Sequence, residues 1–152
     1  MLHRMSVIMM SLALLSLAFL ARSAHAATSA IRQPLRYSAY EYALQQYGKW
    51  YCWGGTGPSC YDCSGLVYAA YQHVHISLGR TTYDMLSSGL LTRISYAEAR
   101  RGDLAFFGTG HVELFDRANI TFGAHDSGRR IGWAWPNAYW YPTAYYRVNG
   151  AG

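Results

Sequence analysis

Residues 54–67 read Gly-Gly-Thr-Gly-Pro-Ser-Cys-Tyr-Asp-Cys-Ser-Gly-Leu-Val, and this stretch changes character at Asp62. The part before Asp62 is too rich in glycine and proline for regular structure, so the backbone must turn tightly there. Asp62 is of a residue type that caps helix N-termini. The apolar residues that follow fall on one face of a helix: Leu66, Val67, Ala70, Tyr71 and Val74. The pattern therefore predicts a helix that begins next to Cys63.

The rest of the chain contains two further helical patterns and then strands. Ser38 to Glu41 fits a capping box, followed by an apolar stripe that ends at Gly48, and a short helix is predicted after Arg80-Thr81-Thr82. The second half has the two-residue period of strands. The predicted strands are Asp103–Phe107, His111–Phe115, Ile120–His125, Arg130–Trp133 and Thr143–Val148. Helices followed by a strand meander predict an α+β domain with a mostly antiparallel sheet.

The N-terminus has the composition of a secretory signal peptide. Arg4 precedes an apolar run from Val7 to Leu20, and Ala24-His25-Ala26 is a small-residue cleavage site. The run is short for a hydrocarbon layer of about 30 Å, so no stable membrane anchor is expected. We predict a signal peptide over residues 1–26, cleavage near Ala26, and one domain over residues 27–152. The mature protein is expected to be secreted, periplasmic or associated with the cell wall.

The composition argues against nucleic acid as a partner. The chain has 13 basic and 8 acidic residues, a formal net charge of +5, and Lys49 is its only lysine. No basic cluster exceeds two residues, whereas nucleic-acid-binding domains carry basic patches. The chain also has 14 Tyr, 5 Trp and 5 Phe. Such rings either form the core or line a groove. We expect a monomer.

The position of Cys63 is typical of an activated nucleophile. The unpaired N–H groups at a helix N-terminus favour the thiolate, which is the reactive form. Outside the signal peptide the base must be one of four histidines: His73, His75, His111 and His125. Matching the apolar faces of two predicted strands pairs 112 with 124 and 114 with 122, which places His111 opposite His125. The pattern predicts Cys63 as nucleophile, His111 as its base and His125 as the group that orients the base.

Both the residue that orients His111 and the role of Cys63 have alternative assignments. Glu113 shares the face of His111 and competes with His125 as the orienting group. A cysteine in a secreted protein is more often half of a disulfide than a nucleophile. The odd cysteine count leaves Cys52 and Cys60 free to pair with each other, although geometry can forbid it.

Two other uses of the cysteines compete with nucleophilic catalysis. Cys60-x-x-Cys63 at a helix start is the pattern of a thiol–disulfide exchange site, but the preceding glycines stand where such folds place a buried strand. A zinc site built from Cys52, Cys60, Cys63 and either His73 or His75 matches no standard spacing. We therefore assign no metal and no cofactor.

Five motifs in this order resemble the NlpC-type cysteine peptidase family: Tyr51–Gly55, Asp62–Val67, Arg80–Thr82, Arg101–Phe107 and His111-Val112. The resemblance covers about residues 37–131. It implies a papain-like α+β fold, in which N-terminal helices pack on a small, mostly antiparallel sheet. It also implies an enzyme that hydrolyses peptidoglycan stem peptides, commonly at the bond between D-glutamate and a diamino acid.

The resemblance also implies roles for individual residues. It makes Cys63 the nucleophile, His111 the general base and His125 the third polar residue. The backbone N–H of Cys63 is expected to hold the oxyanion. Three further residues are assigned to the substrate site: Tyr51, Asp62 and Ser64.

The sequence departs from the family pattern at three places. Glu113 stands where the family usually has a small residue, which puts a carboxylate near the base. The hairpin that leads to His125 is longer than usual. The aromatic stretch Trp133–Tyr146 has no counterpart, and we expect it to pack on the sheet in preference to shaping a groove. A non-hydrolytic wall-binding module and an acyltransferase remain alternatives on the same scaffold.

Overall fold

The computed structural model describes residues 33–152. The predicted signal peptide over residues 1–26 and its cleavage near Ala26 lie outside the described residues. Within residues 33–152, no helix has the length and hydropathy needed to cross a membrane. The helices are α1 (Leu35–Leu44), α2 (Cys63–His73), α3 (Thr82–Ser87) and a 3₁₀ helix (Tyr96–Glu98).

The strands of the described part form two sheets. β1 (Trp50–Tyr51) and β2 (Cys60–Tyr61) form a small parallel pair. The main sheet is antiparallel, in the order β3-β8-β4-β5-β6-β7. Its strands are β3 (Leu91–Ile94), β4 (Leu104–Phe107), β5 (His111–Arg117), β6 (Ile120–Gly123), β7 (Gly132–Ala134) and β8 (Ala144–Val148). The predicted α+β class with a mostly antiparallel sheet is confirmed.

The first helix differs from its prediction. α1 begins at Leu35 and has Pro34 as its N-cap residue, with no side-chain cap, so the capping box predicted at Ser38 is wrong. The fixed φ of Pro34 suits the residue that leads into a helix, and this signal was missed. α1 ends at Leu44, and residues 45–48 form a turn that ends at Gly48.

The helices pack on one face of the sheet and form the core. α2 lies against β5 and β6 and also contacts α1. Leu66 and Val67 of α2 are fully buried, as are Val112 and Leu114 of β5. Burying each such side chain contributes about 1.5–3 kcal/mol. This contact fixes the N-terminus of α2, and with it Cys63, beside the first residue of β5.

The predicted register between β5 and β6 is confirmed at Leu114, which pairs with Phe122. β6 ends at Gly123, so the prediction of a strand reaching His125 is two residues too long. His111 lies at the start of β5 and pairs with Phe107 of β4. A bulge between Phe115 and Arg117 interrupts the far end of the β5–β6 ladder.

Candidate active site

Cys63 is the first residue of α2, and its surroundings favour the thiolate. It is buried and is the free cysteine of the chain. Burial alone raises the pKa of the thiol, but the hydrogen bond and charge of His111, together with the backbone N–H groups of Val112 and Ser64, lower it overall. A thiolate stabilised in this way is a nucleophile near neutral pH.

His111 is held between Cys63 and Glu113. Its Nε2 lies 2.9 Å from Oε1 of Glu113. Because a carboxylate only accepts hydrogen bonds, Nε2 carries a proton, and Nδ1 is the ring nitrogen that remains for Cys63. Burial lowers the pKa of His111, but the hydrogen bonds to Cys63 and Glu113 and their negative charges raise it to about 9. The two groups can therefore exist as a thiolate–imidazolium pair.

Glu113 is fully buried beside His111 and accepts hydrogen bonds from three side chains. Besides His111, its Oε1 accepts from Nδ1 of His125 at 2.6 Å, and its Oε2 accepts from the Thr121 hydroxyl. Burial raises the pKa of Glu113, but these hydrogen bonds and the charge of His125 lower it to about 2. Glu113 is therefore an anion that fixes the ring of His111.

Gly123 makes room for Glu113 on the neighbouring strand. A Cβ at Gly123 would lie 2.7 Å from Cγ of Glu113. The pairing of Leu114 with Phe122 places the two residues side by side on β5 and β6. The chain thus has a small residue on β6 beside the Glu113 carboxylate.

His125 is connected to His111 through Glu113. It follows β6 and donates to Glu113, and among the described residues no hydrogen bond joins the two histidines. The residue that contacts His111 directly is thus Glu113, which the sequence left open as the alternative orienting group. The other ring nitrogen of His125, Nε2, is buried and has no hydrogen-bond partner among residues 33–152.

Asp62 caps the N-terminus of α2 and also contacts residues around Cys63. Its Oδ1 accepts from the backbone N–H of Gly65 at 2.6 Å, as predicted for a cap, and its Oδ2 accepts from the N–H of Gly54 at 2.8 Å. Arg80 donates to both carboxylate oxygens, at 3.0 and 2.7 Å, and to the hydroxyl of Ser64 at 3.0 Å. Arg80 therefore holds Asp62 and Ser64 in place. This role of Arg80 is not apparent from its motif, Arg80–Thr82, alone.

A cleft of about 500 Å³ opens at Cys63. Asp62, Ser64 and Arg80 line it, and the exposed rings of Trp53 and Tyr83 form its apolar walls. Its size falls in the range of about 300–1,000 Å³ that small-molecule sites have. The cleft offers an extended ligand both polar groups and aromatic surface.

Tyr51 is half-buried on β1, near the charge of Cys63. Burial and the negative charges of Cys63 and Asp62 raise the pKa of its phenol. The hydroxyl therefore stays protonated and can donate a hydrogen bond at neutral pH. This is the property needed to stabilise negative charge next to the nucleophile.

Cys52 and Cys60 form a disulfide, with their Cα atoms 5.7 Å apart. The bond closes the loop before the nucleophile. It leaves Cys60 bonded to Cys52 and not to Cys63, which argues against the exchange site. The disulfide also removes Cys52 and Cys60 as ligands of the zinc site considered above. Among the described residues, no group of three or more His, Cys, Asp or Glu side chains could hold a metal ion.

The aromatic stretch Trp133–Tyr146 contains rings that pack against the sheet and yet remain partly exposed to solvent. Trp140 stacks on Phe107, with ring centroids 4.8 Å apart, and meets His111 edge to face at 5.3 Å. Trp133 packs against Phe122 and Tyr47. The expected packing on the sheet is present, but the contact of Trp140 with His111 was not predicted, because it depends on where the loop folds back.

Comparison with known proteins identifies the family. The model of the NlpC/P60 family matches residues 48–148. Murein DD-endopeptidase MepH of Escherichia coli is 46% identical over 82 residues, which are 53% of this chain and 30% of that protein. The bifunctional muramidase/DL-endopeptidase CwlT of Bacillus subtilis is 37% identical over 94 residues, which are 57% and 28% of the two chains.

A solved structure shares the fold. The NLP/P60-family protein of Staphylococcus aureus Mu50, described as similar to a lipoprotein, superposes with a TM-score of 0.66 at 29% identity, covering 78% of this chain and 42% of that one. The present chain spans about a fifth to a third of the length of the curated relatives that it matches.

Proposed function

Since this chain belongs to the NlpC/P60 family, we propose that it is an exported cysteine peptidase that hydrolyses peptidoglycan stem peptides. One observation carries the proposal: His111, which lowers the pKa of Cys63, lies 2.9 Å from the buried carboxylate of Glu113, and Cys63 lines an open cleft. Nucleophile, base and a third group that orients the base are the parts that acyl transfer requires.

The chemistry would proceed through a thioester. The Cys63 thiolate attacks the carbonyl carbon of the scissile amide, and the negative charge moves to the carbonyl oxygen. The N–H of Cys63, at the first position of α2, and the Tyr51 hydroxyl would stabilise that oxyanion. The His111 imidazolium then gives its proton to the leaving amine. Water, deprotonated by His111, hydrolyses the thioester and restores the thiolate.

Glu113 and His125 support this reaction without contacting the scissile amide. Glu113 holds the ring of His111 and stabilises its charged form, while His125 and Thr121 hold Glu113. We propose Glu113 as the residue that orients His111, with His125 one hydrogen bond further away. We therefore keep His125 in the catalytic group, where it acts on His111 through Glu113.

The substrate side of the proposal rests on the cleft and on the relatives. Asp62 and Ser64 line the cleft, and we propose that they contact the peptide on the acyl side of the bond, with Arg80 holding them. We place the cut between D-glutamate and the diamino acid. The names of the relatives include both a DL-endopeptidase and a DD-endopeptidase, so the bond is the point to be measured.

Export is proposed from the sequence. The apolar run from Val7 to Leu20 and the site at Ala26 indicate a cleaved signal peptide. A disulfide between Cys52 and Cys60 suits an oxidising compartment outside the cytosol.

Mass spectrometry of purified muropeptides incubated with the protein tests the activity and names the bond. We expect a released fragment whose mass corresponds to cleavage after D-glutamate, and no fragment with Cys63→Ala or His111→Ala. Circular dichroism should show that both variants fold. Fragments that persist with Cys63→Ala would remove Cys63 as the nucleophile. A fragment from cleavage between two D-amino acids would support peptidase activity but assign it to a different bond.

A further inference from the structure

A second groove, lined by His125 and by the aromatic stretch after β6, is separate from the Cys63 cleft. This aromatic groove has a volume of about 520 Å³, within the range of about 300–1,000 Å³ for ligand sites. Three indole rings and three polar side chains line most of it: Trp133, Trp135, Trp140, His125, Asp126 and Arg129.

The groove touches the catalytic group at two points. Trp140, one of its walls, packs edge to face on His111 at 5.3 Å. His125, another wall, donates to Glu113 at 2.6 Å. The groove and the Cys63 cleft share no lining residue among those described. Cys63 therefore belongs to the cleft alone, whereas the groove meets His111 and Glu113 through its walls.

The indole rings of the groove are unusually open to solvent. Trp135 is 66% exposed, Trp140 47% and Trp133 40%. Single exposed hydrophobic residues are normal, but several tryptophans around one concave surface mark a ligand site. An indole face offers apolar contact, and its N–H offers a hydrogen bond at the edge of the ring.

The polar groups of the groove balance each other. Arg129 Nε lies 3.3 Å from Asp126 Oδ1, so this pair of charges is internally compensated. Asn137 also lines the groove and adds an uncharged amide. A ligand that binds here needs no net charge. It needs flat C–H faces for the indoles and several hydroxyl or amide groups for the polar rim.

We propose that the aromatic groove binds a saccharide and holds the glycan strand whose peptides enter the Cys63 cleft. A pyranose ring has apolar C–H faces and hydroxyl groups around its edge, which is the combination that the groove accommodates. A stem peptide, with its carboxylates and amines, would call for charges that are not already paired. The saccharide class rests on the groove itself, whereas its identity as the amino sugar of the wall rests on the proposed function.

Calorimetric titration of Cys63→Ala protein with the β-1,4-linked tetramer of N-acetylglucosamine tests the proposal, because binding requires no turnover. We expect saturable binding that adding Trp135→Ala weakens by about tenfold or more. Tyr139→Ala is the matched control. This ring is 97% exposed on the same segment but does not line the groove, so its removal should leave binding unchanged.

Three results would overturn the proposal. They are absence of binding both for the tetramer and for peptide-free glycan strands, binding that is insensitive to Trp135→Ala, and binding of free stem peptides in the groove with the same Trp135 dependence. None of them bears on whether the active protein releases peptides from muropeptides. Conversely, an inactive but saccharide-binding protein would refute the peptidase and leave the groove assignment intact.

Discussion

Replacing Glu113 by Gln should disable the catalytic pair while leaving its side chains in place. The substitution keeps the shape of the side chain but removes the negative charge that His111 and His125 share. Without this charge the imidazolium is less stable, so the proton returns to Cys63 and the thiolate is lost. The effect should be seen in the chemistry of Cys63 itself.

The magnitude follows from the pKa values of the two partners. The pKa of His111 rises from 6.5 to about 9, and that of Glu113 falls from 4.5 to about 2. Each change corresponds to about 3 kcal/mol, at about 1.4 kcal/mol per pKa unit. The two values share the His111–Glu113 contact and are therefore not added; that of His111 also includes the effect of Cys63, and that of Glu113 the effects of His125 and Thr121. A nearby opposite charge shifts a pKa by about 1–3 units, so Glu113→Gln should lower the pKa of His111 by that amount.

Alkylation of Cys63 by iodoacetamide measures the thiolate without a substrate. In Glu113→Gln the rate at pH 6 should fall by about tenfold or more relative to the parent, and turnover should fall by about 10²- to 10⁴-fold. His125→Ala should change both in the same direction but less, because it only supports Glu113. Glu98→Gln, which removes an exposed carboxylate of the 3₁₀ helix, is the control. An alkylation profile of Glu113→Gln that superposes on the parent would refute the role given to Glu113.

The pH dependence of stability gives a second readout of the same pair. The pKa of Glu113 is lowered in the folded state, so its stabilisation is present above pH 4.5 and is lost as the pH falls towards about 2. The pKa of His111 is raised, so its stabilisation is present below pH 6.5 and is lost as the pH rises through about 9. In Glu113→Gln the free energy of unfolding should vary less with pH in both windows.

Two further predictions concern the surroundings of the site. Gly123→Ala should lower turnover by about 10²-fold by displacing Glu113, whereas Gly132→Ala, on the paired strand with its nearest neighbour at 3.6 Å, should not. Equal kinetics for the two variants would show that the space beside Glu113 is not needed. Native protein should contain one thiol that a labelling reagent detects, and Cys52→Ser should lower the free energy of unfolding by about 2–3 kcal/mol. Three native thiols would contradict the disulfide.

The parts of the site that depend on local pattern can be predicted from the order of the residues. A capping aspartate before an apolar stripe placed Cys63 at a helix start, and alternating apolar residues paired Leu114 with Phe122. Both follow from short-range geometry, since a helix places every third or fourth residue on one face and a strand every second. The beginning of α1 was missed because a box at Ser38 was preferred to Pro34.

Which group contacts His111, and what surrounds it, depends on how distant segments pack in three dimensions. Glu113 and His125 were both candidates, and the choice depended on the end of β6 at Gly123 and on the space that this glycine leaves. Arg80 reaches Asp62 across 18 positions of sequence, and Trp140 reaches His111 across 29. Such contacts arise when separate elements pack together. No periodicity in a single segment encodes them, because their distances are set by the backbone paths between the elements.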